Sequence, residues 1–231
     1  MALLAAAPLF AQDSTMTAPN TLTSAERADG WQLLFDGKTM DGWRGYKMDS
    51  VPASWKVIDG ALTLDAKGGE PTGGDLITTR KFANFDLKID WKVAFDANSG
   101  IFYRASEVDG AIYWNAPEMQ VLDDAHASDG KHPLTAAGSD YALYPTKPGV
   151  AKPAGEWNHV EIIARGNHIE QWLNGVKVVD YVLGSPDWKA RVAHSKFAPH
   201  PYYGTNATGY IGLQDHGGRV AYRNIKIKVL P

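Results

Sequence analysis

From Phe85 to Trp91 the chain reads Phe-Asp-Leu-Lys-Ile-Asp-Trp, with apolar and polar residues alternating without a break. A period of two puts the apolar side chains on one face of an extended strand and the charged ones on the other. Such a strand needs a second layer to cover its apolar face. Two hairpin signals extend the pattern. Asp59-Gly60 separates Trp55-Lys-Val57-Ile58 from Ala61-Leu62-Thr63-Leu64, and Asn174-Gly175 separates Ile169–Leu173 from Val176–Val179. These dipeptides favour a type I′ turn, whose two central residues both need positive φ.

Further strands are predicted over 31–35, 76–80, 99–104, 117–122, 140–144, 157–165, 208–214 and 219–230. In the last, Val220 and Tyr222 are even, whereas Ile225, Ile227 and Val229 are odd. A period-2 strand changes phase only by inserting a residue, so a bulge is predicted near Arg223–Asn224. Short helices are predicted at 24–29 and 186–196. Ser185 supplies an N-cap for the second, Pro186 a first position and Asp187 an acid in the first turn. Many short strands without βαβ alternation indicate an all-β sandwich of two antiparallel sheets and exclude a Rossmann-type cofactor domain.

The 231 residues suit one such domain, placed here at 26–231. A net charge of −3 argues against nucleic acid as the main ligand, because phosphate binding needs a basic face. The absence of cysteine excludes disulfides, thiolate metal sites and a cysteine nucleophile. Ala2–Ala11 is a short apolar run ending in small residues, too short to span a membrane, and no later segment is long enough either. It has the form of the end of a secretory signal, so a periplasmic or secreted protein is expected, with 12–25 as a flexible lead-in. The oligomeric state stays open. The glycine-rich loop 68–74 lacks the Gly-Lys-Ser/Thr ending of a phosphate loop and is read as a surface turn.

The strongest chemical signal is Pro117-Glu118-Met119-Gln120-Val121-Leu122-Asp123-Asp124. On a strand, Met119 and Val121 point to the core, while Glu118 and Gln120 face water or a groove. Sandwich glucanases place acids at alternate positions of such a strand. Here, however, one of those positions is an amide, and alternate strand residues lie about 6.5–7 Å apart, against roughly 5 Å for a retaining carboxyl pair. Ordinary two-carboxylate hydrolysis is therefore not supported by this strand. Asn98 opens the run that ends in Arg104, whose fixed fork of donors suits a sugar hydroxyl or an oxyanion, or else a surface ion pair. Asp123 and Asp124, with His126 and Asp129, offer oxygen ligands for a divalent cation, or form a solvated acidic turn. His126 is also a candidate general base. Gln214-Asp215-His216 follows a strand and places a histidine beside an acid at its end. Trp114, Tyr141, Tyr144, Tyr202 and Tyr203 are candidates for stacking on sugar rings, with core packing as the alternative. The remaining histidines show no i, i+4 pair with an intervening glutamate, so a helical zinc-protease site is absent.

Seven blocks in order resemble the 3-keto-disaccharide hydrolase domain family. They are Leu34–Trp43, Asn98–Arg104, Glu118–Asp123, Glu156–Asn158, Leu173–Gly175, Ile211–Gly217 and Tyr222–Ile225. The resemblance implies a concanavalin A-like jelly roll, export, and action on 3-keto-glycosides. A C3 ketone acidifies the C2 hydrogen. One base can remove it, an electrophile can hold the enolate, and the C1 substituent can leave, with water then adding to the enone. On that chemistry Glu118 or His126 is the base. Arg104 and Gln120 bind the substrate or enolate oxygens, with Asn98, Trp114, Tyr144 and Gln214 as further sugar contacts. His216 aids the leaving group. No cofactor is required; a divalent metal at Asp123 and Asp124 could assist by polarising the ketone. The rival readings are a non-catalytic carbohydrate-binding module, and a conventional glycosidase using Glu118 with Asp123 or Asp124.

Overall fold

A computed structural model describes residues 18–66, 71, 73–108 and 110–231. The expected signal run, and Gly68–Glu70 with Thr72 of the glycine-rich loop, lie outside the described residues. In chain order the elements are helix α1 (Ser24–Ala28) and strands β1 (Trp31–Leu33), β2 (Trp43–Gly45), β3 (Trp55–Ile58), β4 (Ala61–Asp65), β5 (Leu76–Thr78), β6 (Phe85–Val93), β7 (Asn98–Ala105) and β8 (Glu118–Leu122). These are followed by β9 (Asn158–Arg165), β10 (His168–Leu173), β11 (Val176–Val182), helix α2 (Pro186–Ala193), β12 (Tyr210–Leu213) and β13 (Arg219–Val229).

The strands form two antiparallel sheets. One has the order β11-β10-β9-β6-β13-β4-β3, with β1 also pairing β13. The other has five strands in the order β2-β5-β12-β7-β8. The alternation over 85–91 does what its period requires: Phe85, Leu87, Ile89 and Trp91 are buried between the sheets. Each such side chain contributes about 1.5–3 kcal/mol on burial. The phase change in β13 is a register shift between Arg223 and Lys226, and Asn224 there has φ +52°. The bulge keeps Val220 and Tyr222 before it, and Ile225 and Ile227 after it, in the same core. Both hairpins have the positive φ pair their turns demand, at Asp59-Gly60 and Asn174-Gly175.

Three features depart from the sequence reading. Residues 140–144 form only isolated bridges, from Asp140 to Met119 and to Tyr144. Trp43–Gly45 is a strand that no hydrophobic alternation announces. The described part of the lead-in is tied down: Asn20 is buried, donates to Gly60 O and exchanges hydrogen bonds with Asn224. Thr23 and Glu26 form a reciprocal capping box on α1. Ser185 caps α2, with Pro186 at its first position, as the sequence indicates.

The outer face of the five-stranded sheet positions the site. Register places Ile77, Gly212, Phe102 and Glu118 in one row across β5, β12, β7 and β8. Ile77 and Phe102 pack with Ile112, Ala116 and Tyr46 in a small second core. The segment around Ile112–Trp114, a turn of 3-10 helix, covers that part of the face. The adjoining part stays open as a groove.

Candidate active site

The groove has a volume of about 550 Å³. Its floor comes from β7, β8 and the ends of β5 and β12, through Asn98, Glu118, Gln120, Asp75 and Gln214. Its walls come from loops, through Tyr113, Trp114, Asp129, Tyr141, Lys196 and His216. Pro71 and Gly74 also line it, so the described end of the glycine-rich loop is a groove wall and not merely a surface turn.

Period two sends Met119 and Val121 into the core and Glu118 and Gln120 into the groove. Glu118 is only 5% exposed, and its carboxyl makes no hydrogen bond among the described residues. Burial pushes its pKa up to about 8; the Lys196 ammonium pulls it down, and Asp75 and Asp129 push it further up. Gln120 is 1% exposed, yet both its Oε1 and its Nε2 lack partners. Asn98 Oδ1 and Gln214 Oε1 are likewise buried and unpaired. Buried amides normally find partners, so this set has the composition of a site that binds a polyhydroxylated molecule.

Gly100 is what lets the carboxyl lie where it does. It pairs with Gln120 across β7 and β8, two residues along and on the same face as the Phe102–Glu118 pair. A methyl built there would overlap Glu118 Oε1 and come within 2.7 Å of its Cδ. The strand is thus shaped around the acid by the absence of a side chain on its neighbour.

Asp75 and Lys196, which no local motif announced, come together with Asp129 and Tyr141, which the sequence offered as a cation ligand and a sugar-stacking ring. Asp75 precedes β5, and Asp215 N donates to its Oδ1 at 2.9 Å. Burial raises the Asp75 pKa to about 7, against the pull of that N–H and with a further push from the Asp215 carboxylate. Lys196 follows α2, and its Nζ lies 4.2 Å from the Tyr141 ring centroid. Burial lowers the lysine's pKa, while Glu118 and Asp129 raise it. Tyr141 donates to Asp129 Oδ2 at 3.1 Å. These residues come from separate loops, so their spacing in sequence carries no signal.

The structure places the other predicted residues as follows. Trp114 lines the groove and stacks on His200 with ring centroids 3.9 Å apart. His216 stands exposed at the rim, where it also borders a smaller neighbouring cavity. Its neighbour Asp215 accepts from Gly217 N and Gly74 N. His126 is outside the groove: its Nδ1 meets Asp123 Oδ2 at 2.7 Å and its ring packs on Phe95. Asp123 also accepts from Asp96 N and Ala125 N, and Asp124 accepts from Ala137 N. Those carboxylates brace the turn after β8 and lie outside the groove lining. Tyr144 is in a ladder with Tyr181 and Trp188, and its hydroxyl donates to Asp187 Oδ2 at 2.7 Å. Tyr203 extends that ladder, and Tyr202 lies exposed outside the groove lining.

Arg104 misses the groove because β7 bulges. Tyr210 pairs Ala105 but Gly212 pairs Phe102, so one strand spends three steps where the other spends two. Arg104 takes the positive φ of +53°, and its guanidinium donates to Ala83 O and Gly166 O instead. One further group has metal-ligand chemistry among the described residues, His168, Glu170 and Asp180 on β10 and β11. Lys177 already sits there, 2.6 Å from Asp180 and 3.5 Å from Glu170.

Comparison with known proteins accords with this geometry. A 3-keto-disaccharide hydrolase of Bacteroides thetaiotaomicron is 40% identical over 88% of this chain and 79% of that protein. A crystal structure from Parabacteroides distasonis, provisionally assigned as a glycosyl hydrolase, superposes with a TM-score of 0.83 at 34% identity, covering 92% of this chain and 100% of the other. The carbohydrate-binding module CBM66 of Bacillus subtilis shares the fold alone, with a TM-score of 0.52 and 14% identity over 81% of this chain and 95% of that one. The family model described as the 3-keto-alpha-glucoside-1,2-lyase-like domain matches residues 30–228, which hold both sheets and every wall of the groove; the chain belongs to that family of jelly-roll enzymes.

Proposed function

We propose that this carbohydrate hydrolase cleaves 3-keto-glycosides by proton abstraction at C2, elimination at C1 and hydration. The observation that supports this most is the buried, unbonded Glu118 carboxyl beside the unpaired Gln120 amide. A raised pKa makes Glu118 a stronger base than an ordinary carboxylate, which suits a carbon acid. It takes the C2 proton, and the electron pair moves onto the ketone oxygen. The Lys196 ammonium and Gln120 Nε2 hold that enolate, a role the sequence reading gave to Gln120 together with Arg104. Such a donor contributes on the order of 3 kcal/mol to the transition state. The pair then returns, the C1–O bond breaks, and the leaving oxygen takes a proton from Asp75 or from His216. Water adds its oxygen to C1 of the enone, C2 regains a proton, and the net result is hydrolysis. No atom changes oxidation state overall, so the balance needs no redox cofactor. A divalent cation that polarised the ketone would share the work of Lys196, and loss of turnover in a chelator would reveal it.

The decisive measurement compares a 3-keto-glucoside with its unoxidised parent, with products followed by mass. Turnover of the keto sugar alone is expected. Binding of both sugars without turnover would move the protein to the carbohydrate-binding class. A conventional glycosidase is the second reading, because Asp75 does supply another carboxyl to the groove. Yet β5 and β8 stand three strands apart in the sheet, roughly 14 Å between backbones, which disfavours the short separation of a retaining pair. Turnover of the unoxidised parent would establish that reading.

His126→Ala is expected to keep kcat/KM within about twofold of wild type on the same substrate, since surface groups away from the site rarely matter more. A loss of a hundredfold or more would return His126 to the machinery. Export is part of the same proposal and rests on the apolar run Ala2–Ala11. N-terminal sequencing of the protein from separated cell fractions tests it; an intact N-terminus in the cytoplasmic fraction alone would overturn it.

A further inference from the structure

A second cavity, of about 420 Å³, shares no lining residue with the groove. Its walls include Leu183, Trp188, Val192 and Pro201, and Arg104 lies within them. Arg104 is 3% exposed. Its Nε donates to Ala83 O at 3.0 Å, and its Nη2 to Ala83 O at 2.8 Å and Gly166 O at 2.6 Å. Nη1 has no acceptor among the described residues. Among the described residues no carboxylate pairs with this guanidinium; the titratable neighbours acting on it are the phenols Tyr181 and Tyr103. An interior cation compensated only by carbonyl dipoles is costly, and an anion entering beside it would be favoured in proportion. Lys189 lines the same cavity and adds a second cationic side chain to it.

We propose that this cavity is a ligand site for a small organic carboxylate with an apolar body. The carboxylate accepts from Arg104, and the body lies against Trp188, Leu183 and Val192. A free inorganic anion would leave the apolar walls uncovered, and a neutral apolar molecule would leave the guanidinium unanswered. The bulge that removes Arg104 from the groove is what delivers it here. The site stands whether or not the groove acts on keto sugars.

The test is calorimetric titration of the full chain with phenylacetate, phenylacetamide and acetate. Phenylacetate is expected to saturate with Kd below about 1 mM. Phenylacetamide lacks the charge and acetate lacks the body, so each should bind at least roughly tenfold more weakly. Arg104 also anchors two loops, so its own variants risk unfolding. Ala193→Trp, from an exposed cavity-lining position, should abolish binding by filling the space. Glu118→Gln should leave it unchanged. Equal affinity for phenylacetamide or acetate, binding that survives Ala193→Trp, binding lost in Glu118→Gln, or no saturation by roughly 10 mM phenylacetate would each overturn the site.

Discussion

Glu118→Gln is expected to slow turnover of a 3-keto-glycoside by about 10²–10⁴-fold, the range a positioned general base supplies. Glutamine keeps the volume and the groove shape but cannot accept the C2 proton. KM should move little, because the lost interaction belongs to the transition state. In the wild type, kcat/KM should rise with pH as Glu118 ionises through about 8, and should fall again on the alkaline side where Asp75 is the acid, since its own value is about 7. The rise should vanish from the residual activity of the variant. Stability carries the opposite dependence. The folded chain holds a proton on Glu118 between the ordinary value of 4.5 and about 8, whereas the unfolded chain does not. Stability from this group is therefore fully present below 4.5 and is lost as pH rises through about 8. Relative to wild type, Glu118→Gln should gain melting temperature as pH rises from 5 to 9. A pH-independent difference in melting temperature, or wild-type turnover in the variant, would remove Glu118 from the role of buried base.

Gly100→Ala should cost nearly as much activity without removing any reacting group. The added methyl falls onto the Glu118 carboxyl, whose Cδ would lie 2.7 Å away. Glu118 must turn off its position over β7, and a displacement of about 1 Å can cost 10²-fold in rate. The backbone tolerates alanine, because Gly100 sits in a regular strand and not among the positive-φ residues. Global stability should therefore fall only modestly. The double variant Gly100→Ala, Glu118→Gln separates this cause from general damage. If the methyl acts through the carboxyl, the double variant should be no slower than Glu118→Gln alone. Multiplicative losses would show that Gly100 supports the groove in some other way.

The groove was half legible. Glu118, Gln120, Asn98, Gln214 and Trp114 could be named because each lies on a strand whose alternation is plain, or next to one. Period two then decides which side chains leave the core. Asp75 and Lys196 could not be named, and Asp129 and Tyr141 were named only as a cation ligand and a sugar-stacking ring, without the groove that joins all four. They arrive from loops joined to different strands, and only the order β5-β12-β7-β8 brings them to one face. His126 and Tyr144 show the reverse error. Both are chemically suitable, but one is held by Asp123 and the other is stacked on Tyr181. Arg104 was misplaced for a backbone reason. The bulge at the end of β7 breaks the period that would have aimed it at the groove, and no change of apolar phase flanks it as one does in β13.

By itself the sequence determined the two-sheet architecture, both tight hairpins, the bulge in β13, the capped helix α2 and the acid–amide pair of β8. All of these follow from interactions between residues near in the chain, where side-chain period and turn geometry act directly. The tertiary structure alone decided the protonation of that acid, the cation set beside it and the turning of Arg104 toward a second cavity. A pKa depends on which charges and how much water surround a group, and those are fixed by strand order and loop packing, not by spacing along the chain.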